Sequence, residues 1–227
     1  MSGLKLIPAV GLALAVLLAG CGQTQTRTSA STAAAEEAKA KLIASGFGQE
    51  GNYVQGIAVV SADNAAAADR FVTASANFKD TTGKIVATKE QVESFSWPGQ
   101  ELVLPIWLDV TSSPPDTKIA AMDVSVSIGN TTNKGDLKPL PVLNAEEIRP
   151  GQFGGYTAAF TFTNDTGKDI NDLRVGVVCY DAAGTIIGGG SEYPNLAPAG
   201  KPIRIEPTLM KVSAQPASCK AFPNYGA

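Results

Sequence analysis

Residues 172–187 read Asp-Leu-Arg-Val-Gly-Val-Val-Cys-Tyr-Asp-Ala-Ala-Gly-Thr-Ile-Ile. Leu173, Val175, Val177 and Cys179 hold alternate positions, the period of a strand with one buried face. Asp181 and Gly184 bound a four-residue turn, with Asp favoured at its first position and Gly at its last. Ile186 and Ile187 begin a return strand, so the stretch is a hairpin. The same pattern stands 101 residues earlier: Val72, Ala74, Ala76 and Phe78 alternate, Asp80-Thr-Thr-Gly83 turns the chain, and Ile85 and Val86 start back.

The correspondence extends outward from the hairpins. Leu196-Ala-Pro-Ala-Gly-Lys answers Phe95-Ser-Trp-Pro-Gly-Gln, and Ile203, Ile205 and Leu209 answer Leu102, Leu104 and Leu108 without a gap. Upstream, Tyr156, Phe160 and Phe162 answer Tyr53, Ile57 and Val59. Met122, Val124, Val126 and Ile128 supply one more alternating strand. With 23 glycines and 14 prolines between these runs, no long amphipathic helix is left for an α/β fold. The expected architecture is all-β, as two tandem antiparallel β-sandwiches over residues 46–129 and 151–227 joined by a linker at 130–150.

The N-terminus has a different character. Lys5 precedes an apolar run from Leu6 to Ala19 that would span only about 21 Å as a helix, against roughly 30 Å of hydrocarbon. Together with the small residues after it, the run describes an export signal over residues 1–20. Leu18-Ala19-Gly20-Cys21 resembles the lipobox of bacterial lipoproteins position for position. That resemblance implies a diacylglyceryl group on the Cys21 sulfur, cleavage before it, and a protein lipid-anchored to the cell membrane on its extracytoplasmic side. Two acyl chains are what stable anchoring requires. A plain secretory signal and an uncleaved anchor helix are the alternatives. Residues 21–45 follow as a lipidated tether: polar and Ala-rich first, then Ala33–Ile43 with Glu-to-Lys pairs at helical spacing, expected as a frayed helix or coil.

The chain contains three cysteines, an odd number for an exported protein. With Cys21 carrying lipid, Cys179 and Cys219 remain as a pair, which an oxidising compartment would hold as a disulfide. A reactive dithiol, the alternative, ordinarily shows Cys-x-x-Cys spacing.

Val177-Val-Cys-Tyr-Asp followed by Gly184 resembles the FxLYD domain, an immunoglobulin-like sandwich common in exported bacterial lipoproteins. Asn164-Asp-Thr-Gly, Tyr180, Asp181 and Leu196-Ala-Pro-Ala-Gly fit the same outline, with Val177 in place of Phe and Cys179 in place of Leu. In the first unit Asp80 and Gly83 hold, and Ala76, Phe78 and Lys79 depart. The resemblance implies a fold for both units and carries no catalytic activity.

The composition excludes several chemistries. There is no histidine, which removes the usual general base and the Ser-His-Asp and Cys-His systems. The 18 Lys and Arg stand against 21 Asp and Glu with no basic block, which argues against nucleic acid. No cofactor motif is present; Gly188-Gly-Gly follows a strand and reads as a bulge or a close backbone approach. Two loops gather oxygen ligands of the type calcium takes, Asp63, Asn64 and Asp69 in one and Asn164, Asp165, Asp169 and Asp172 in the other, but Asn and Asp also make turns, and no calcium-loop spacing appears. No metal site is therefore assigned. Trp97, Trp107 and Tyr193 are the candidate contacts for an envelope protein or a glycan, packing between domains being the other use for them. The expected function is a non-catalytic binding or scaffolding module. A solute- or metal-binding lipoprotein and a carboxylate-dependent hydrolase are the competing readings.

Overall fold

The computed structural model describes residues 36–114, 116–135, 137–151, 155–208 and 210–226. The expected export signal, Cys21, the first part of the expected tether and Leu209 lie outside the described residues. Six strands form the first half: β1 (Ala40–Glu50), β2 (Tyr53–Ala62), β3 (Arg70–Asp80), β4 (Ile85–Ser94), β5 (Glu101–Asp109) and β6 (Ile119–Thr131). Ten shorter strands form the second: β7 (Leu143–Asn144), β8 (Glu147–Pro150), β9 (Tyr156–Thr163), β10 (Ile170–Asn171), β11 (Arg174–Tyr180), β12 (Ile186–Glu192), β13 (Leu196–Ala197), β14 (Pro202–Ile205), β15 (Lys211–Val212) and β16 (Ser218–Asn224). A single 3-10 turn, Ala65–Ala67, is the helical element among the described residues. The protein is all-β, and every strand pair is antiparallel.

The two halves pair their strands in a similar order. In the first half the sheets run β1-β2-β5 and β4-β3-β6; in the second, β14-β9-β8 and β15-β12-β11-β16-β7. Thus β8, β9 and β14 take the places of β1, β2 and β5, and β12, β11 and β16 those of β4, β3 and β6. The hairpins agree in detail. Asp80 Oδ1 accepts hydrogen bonds from the Thr82 and Lys84 backbone N–H groups at 2.8 and 3.1 Å; Asp181 Oδ1 accepts from Ala183 and Thr185 at 2.9 and 2.8 Å. Gly83 and Gly184 sit at φ 84° and 81°, the left-handed region open to a residue without Cβ. Both hairpins carry a bulge at the same place, between Phe78 and Lys79 and between Cys179 and Tyr180.

Two readings of the sequence are corrected. The segment expected as frayed helix or coil ends in a strand, because Ala40–Ile43 opens β1, which pairs with β2. Tertiary pairing overrides a local helix preference there. Secondly, Ile57 and Val59, matched above to Phe160 and Phe162, do not lie on the row of β2 that faces the first core. Val54, Ala58 and Val60 point into the first core with Leu102, Leu104, Ile106 and Leu108, while Ile57 and Val59 point the other way. The correspondence with β9 therefore shifts by one residue. Ala58 faces Leu104 and Val60 faces Leu102, as Phe160 faces Ile205 and Phe162 faces Ile203. A slip of one residue reverses every side chain. Alternation did not betray it because β2 is buried from Val54 to Val60 on both faces.

That double burial defines the architecture. The first core lies between β4-β3-β6 and β1-β2-β5. The second lies between β15-β12-β11-β16-β7 and β14-β9-β8. Between them, Ile57, Val59 and Val103 of the first half meet Val178, Ile186 and Phe222 of the second. Four sheets are stacked, and Glu36–Ala227 forms one compact unit. Glycines let the inner sheets approach: a Cβ on Gly176 would lie 2.8 Å from Val103 Cβ, and one on Gly46 would lie 2.7 Å from Ile186 Cβ. The Gly188-Gly-Gly run has the same office, since Gly188 lies against the Lys211 carbonyl and Gly48.

The second core is smaller in its regular strands and carries the covalent tie. Cys179 and Cys219 face each other directly on β11 and β16 and form a disulfide, with Cα atoms 4.1 Å apart. Both are buried.

Candidate binding site at the junction of the halves

The three nominated aromatic residues all lie at the junction, in different settings. Trp97, on the connection between β4 and β5, packs against the core of the second half. Its ring meets Tyr225 edge-on, with centroids 6.3 Å apart, a favourable geometry for two quadrupoles. Trp107 is 40% exposed. It sits on the face of β5 opposite Leu104, Ile106 and Leu108, and stacks on Tyr53 at 5.4 Å. The Lys211 ammonium of the second half lies 5.8 Å from the Tyr53 ring centre and pairs with Glu50 at 2.9 Å. Tyr193 is 50% exposed, with the Arg174 guanidinium 5.3 Å above its ring. Arg174 in turn reaches Glu93 of the first half at 3.6 Å.

Beside these contacts runs a buried polar network that sequence reading did not identify. Asn224 Oδ1 accepts hydrogen bonds from Gln100 Nε2 at 2.9 Å and Ser96 Oγ at 3.0 Å, and its amide donates to the Ser94 carbonyl at 2.9 Å. Lys134 Nζ donates to Ser94 Oγ at 2.7 Å and to the Tyr225 carbonyl at 3.0 Å. Gln100 and Asn224 are almost fully buried and fully partnered, as buried amides must be. Each links positions more than 120 residues apart. No local pattern marks such residues; the one available hint is a polar side chain beside a run buried on both faces.

Burial governs the electrostatics of this network. It raises the Glu93 carboxyl above its ordinary value, against the pull of Arg174, the Gln91 hydrogen bond and Lys134. It likewise lowers the Lys134 ammonium, against the attraction of Glu93 and Asp69. Tyr180 and Tyr225 are pushed up by burial, Tyr180 with a further contribution from Glu101.

The loop acids serve backbone geometry. Asp69 accepts from the Thr132 hydroxyl and the Lys134 N–H. Asn164 donates to the carbonyls of Lys168 and Ala197 and accepts from Thr166. Asp169 accepts from the Ala199 N–H at 2.8 Å. Asn64 bonds to Glu37 and Lys39, holding the start of β1. Among the described residues no three Cys, Asp or Glu side chains converge as metal ligands. Among them, too, no helix is long and apolar enough to cross a membrane. Comparison with protein-family models and with curated protein sequences finds no match, so the lipobox and FxLYD resemblances rest on the residues that carry them.

Proposed function

We propose that this is a non-catalytic, lipid-anchored protein of the bacterial cell envelope, built from two tandem immunoglobulin-like units of the FxLYD kind and acting as a binding or scaffolding module. Cys21 carries the lipid, and residues 22–39 separate it from a β-sheet body on the extracytoplasmic side. The observation that supports this best is the junction. Its charged groups pair across the two halves, Glu93 with Arg174 and Glu50 with Lys211, and its apolar groups interlock. A pair of β units fused this way is a stiff presenting body, suited to holding a surface at a fixed place. Fractionation tests the reading. The wild-type protein partitions into the membrane and detergent phases, whereas Cys21→Ser, which has no thiol to acylate, loses the lipid modification and migrates as the uncleaved precursor. Wild-type protein without lipid contradicts the proposal.

A further inference from the structure

The fold gathers lysines that the sequence keeps apart. Lys134 and Lys138, on the connection between the halves, and Lys168, on the loop between β9 and β10, line one groove of about 530 Å³. Tyr225 ties the first two together. Its carbonyl accepts from Lys134 Nζ at 3.0 Å, and its hydroxyl donates to the Lys138 carbonyl at 2.8 Å. Lys134 Nζ also donates to Ser94 Oγ at 2.7 Å, and Lys138 Nζ donates to the Asp165 carbonyl at 2.7 Å. An ammonium has three donors, so Lys134, with two engaged, keeps one, and Lys138, with one engaged, keeps two. The ion pairs among the described residues use Lys79, Arg149, Arg174, Arg204 and Lys211, and none of the lysines of this groove. Asp169, the one carboxylate among the described lining residues, accepts from the Ala199 N–H at 2.8 Å.

We propose that this groove binds a phosphate monoester. The inference goes beyond the envelope reading and does not depend on the lipid. Charge selects the ligand: three ammonium groups against one carboxylate leave two positive charges, and a phosphate monoester carries about −1.5 to −2 at neutral pH. Lysine meets phosphate as a point charge, without the planar fork that arginine offers a carboxylate. The groove falls within the roughly 300–1,000 Å³ of small-molecule sites, and Leu137, Ile170 and Tyr225 give it an apolar lining for the organic part of an ester. A long polyanion is disfavoured, because the whole chain is net negative and Asp172 lies against the lining residue Gly226. Burial lowers the Lys134 ammonium below its ordinary value, and a dianion beside it opposes that shift.

The full chain in detergent is titrated with inorganic phosphate, glycerol phosphate and succinate. The chain has two tryptophans, and Trp97 meets Tyr225 edge-on, so Trp107→Phe leaves a single indole beside the groove. A saturable change in its fluorescence is expected with glycerol phosphate, with an affinity that falls as salt screens the lysines. Inorganic phosphate, which leaves the apolar lining uncovered, should bind more weakly. Lys138 and Lys168 are exposed, so the Lys138→Gln, Lys168→Gln double variant should keep its urea midpoint while its affinity falls by roughly tenfold or more. Lys138→Arg, which keeps the charge, should retain most of the binding. The same chain in phosphatidylcholine vesicles, with and without phosphatidate, separates two sources of the ester: a response to phosphatidate alone assigns a lipid headgroup, and a response to glycerol phosphate assigns a soluble ester. Absence of a saturable response to every one of these phosphates overturns the proposal. So does tighter binding of succinate, or undiminished affinity in the folded double variant.

Discussion

Glu93 is where burial and pairing pull in opposite directions. Its carboxylate has a cation at 3.6 Å, yet desolvation prevails and the folded pKa lies above the ordinary value of 4.5. A raised folded pKa means that the folded protein binds the proton more tightly than the unfolded chain. The stability Glu93 contributes is complete below about pH 4.5 and is lost as pH rises through the higher folded value. Urea midpoints measured across that window should fall with pH in the wild type, with the slope reduced in Glu93→Gln; an unchanged slope contradicts the assignment. The turn residues make a simpler case. Gly184→Ala places a Cβ at φ 81° and should cost about 1–2 kcal/mol, read from the same denaturation experiment. Turn chemistry is local, which is why Asp181 and Gly184 were legible from four adjacent residues. Glu93, Arg174 and Asn224 were not, because their partners are supplied by the fold.

At the level of elements, the core rows of β3, β5 and β11 were read correctly, and the row of β2, a strand buried on both faces, was not. In β3, polar Thr73, Ser75 and Asn77 alternate with Val72, Ala74 and Ala76, so the sequence names the buried face. In β2 every position from Val54 to Val60 is buried, and the alternation that would fix the face is absent. The start of β1 failed for another reason: Glu36 to Lys41 has helical charge spacing, but β2 offers Ala40–Glu50 a full antiparallel partner. Gly48 belongs to this contact, where a Cβ would strike the Ile187 and Lys211 carbonyls. Gly48→Val should therefore lower stability by roughly 1–3 kcal/mol and raise hydrogen exchange in β1 and β12 ahead of β3. The disulfide acts between β11 and β16. It closes a separation of 40 residues, so the chain-entropy estimate of its contribution is about 4 kcal/mol. The Cys179→Ser, Cys219→Ser variant should unfold at correspondingly lower urea, and a shift much below 1 kcal/mol would mean that packing alone holds β16.

The whole molecule is a head-to-tail stack of unlike sheets. The β1-β2-β5 face of the first half meets the β12-β11-β16 face of the second, a heterologous contact of a kind that can propagate between copies. The outer sheets are polar. Ser75 bonds Glu90 and Asn77 accepts from Thr88 on one side; Arg204 bridges Glu147 and Glu206, and Arg149 joins Glu206, on the other. Since the halves share Ile57, Val178 and Phe222 in one apolar layer, unfolding of the lipid-free protein should be a single transition by both tryptophan fluorescence and circular dichroism. Two separated transitions would mean independent halves. The all-β class was readable from the chain; the stacking was not, because both halves offered apolar rows and nothing in either named the face turned to its neighbour.

On the proposed reading, what the stack does depends on where Cys21 holds it. Intact-mass spectrometry of protein extracted from membranes is the most direct measurement. A lipid-anchored protein gives a chain beginning at Cys21 with a diacylglyceryl group on its sulfur. An unmodified Cys21 with residues 1–20 still attached would contradict it.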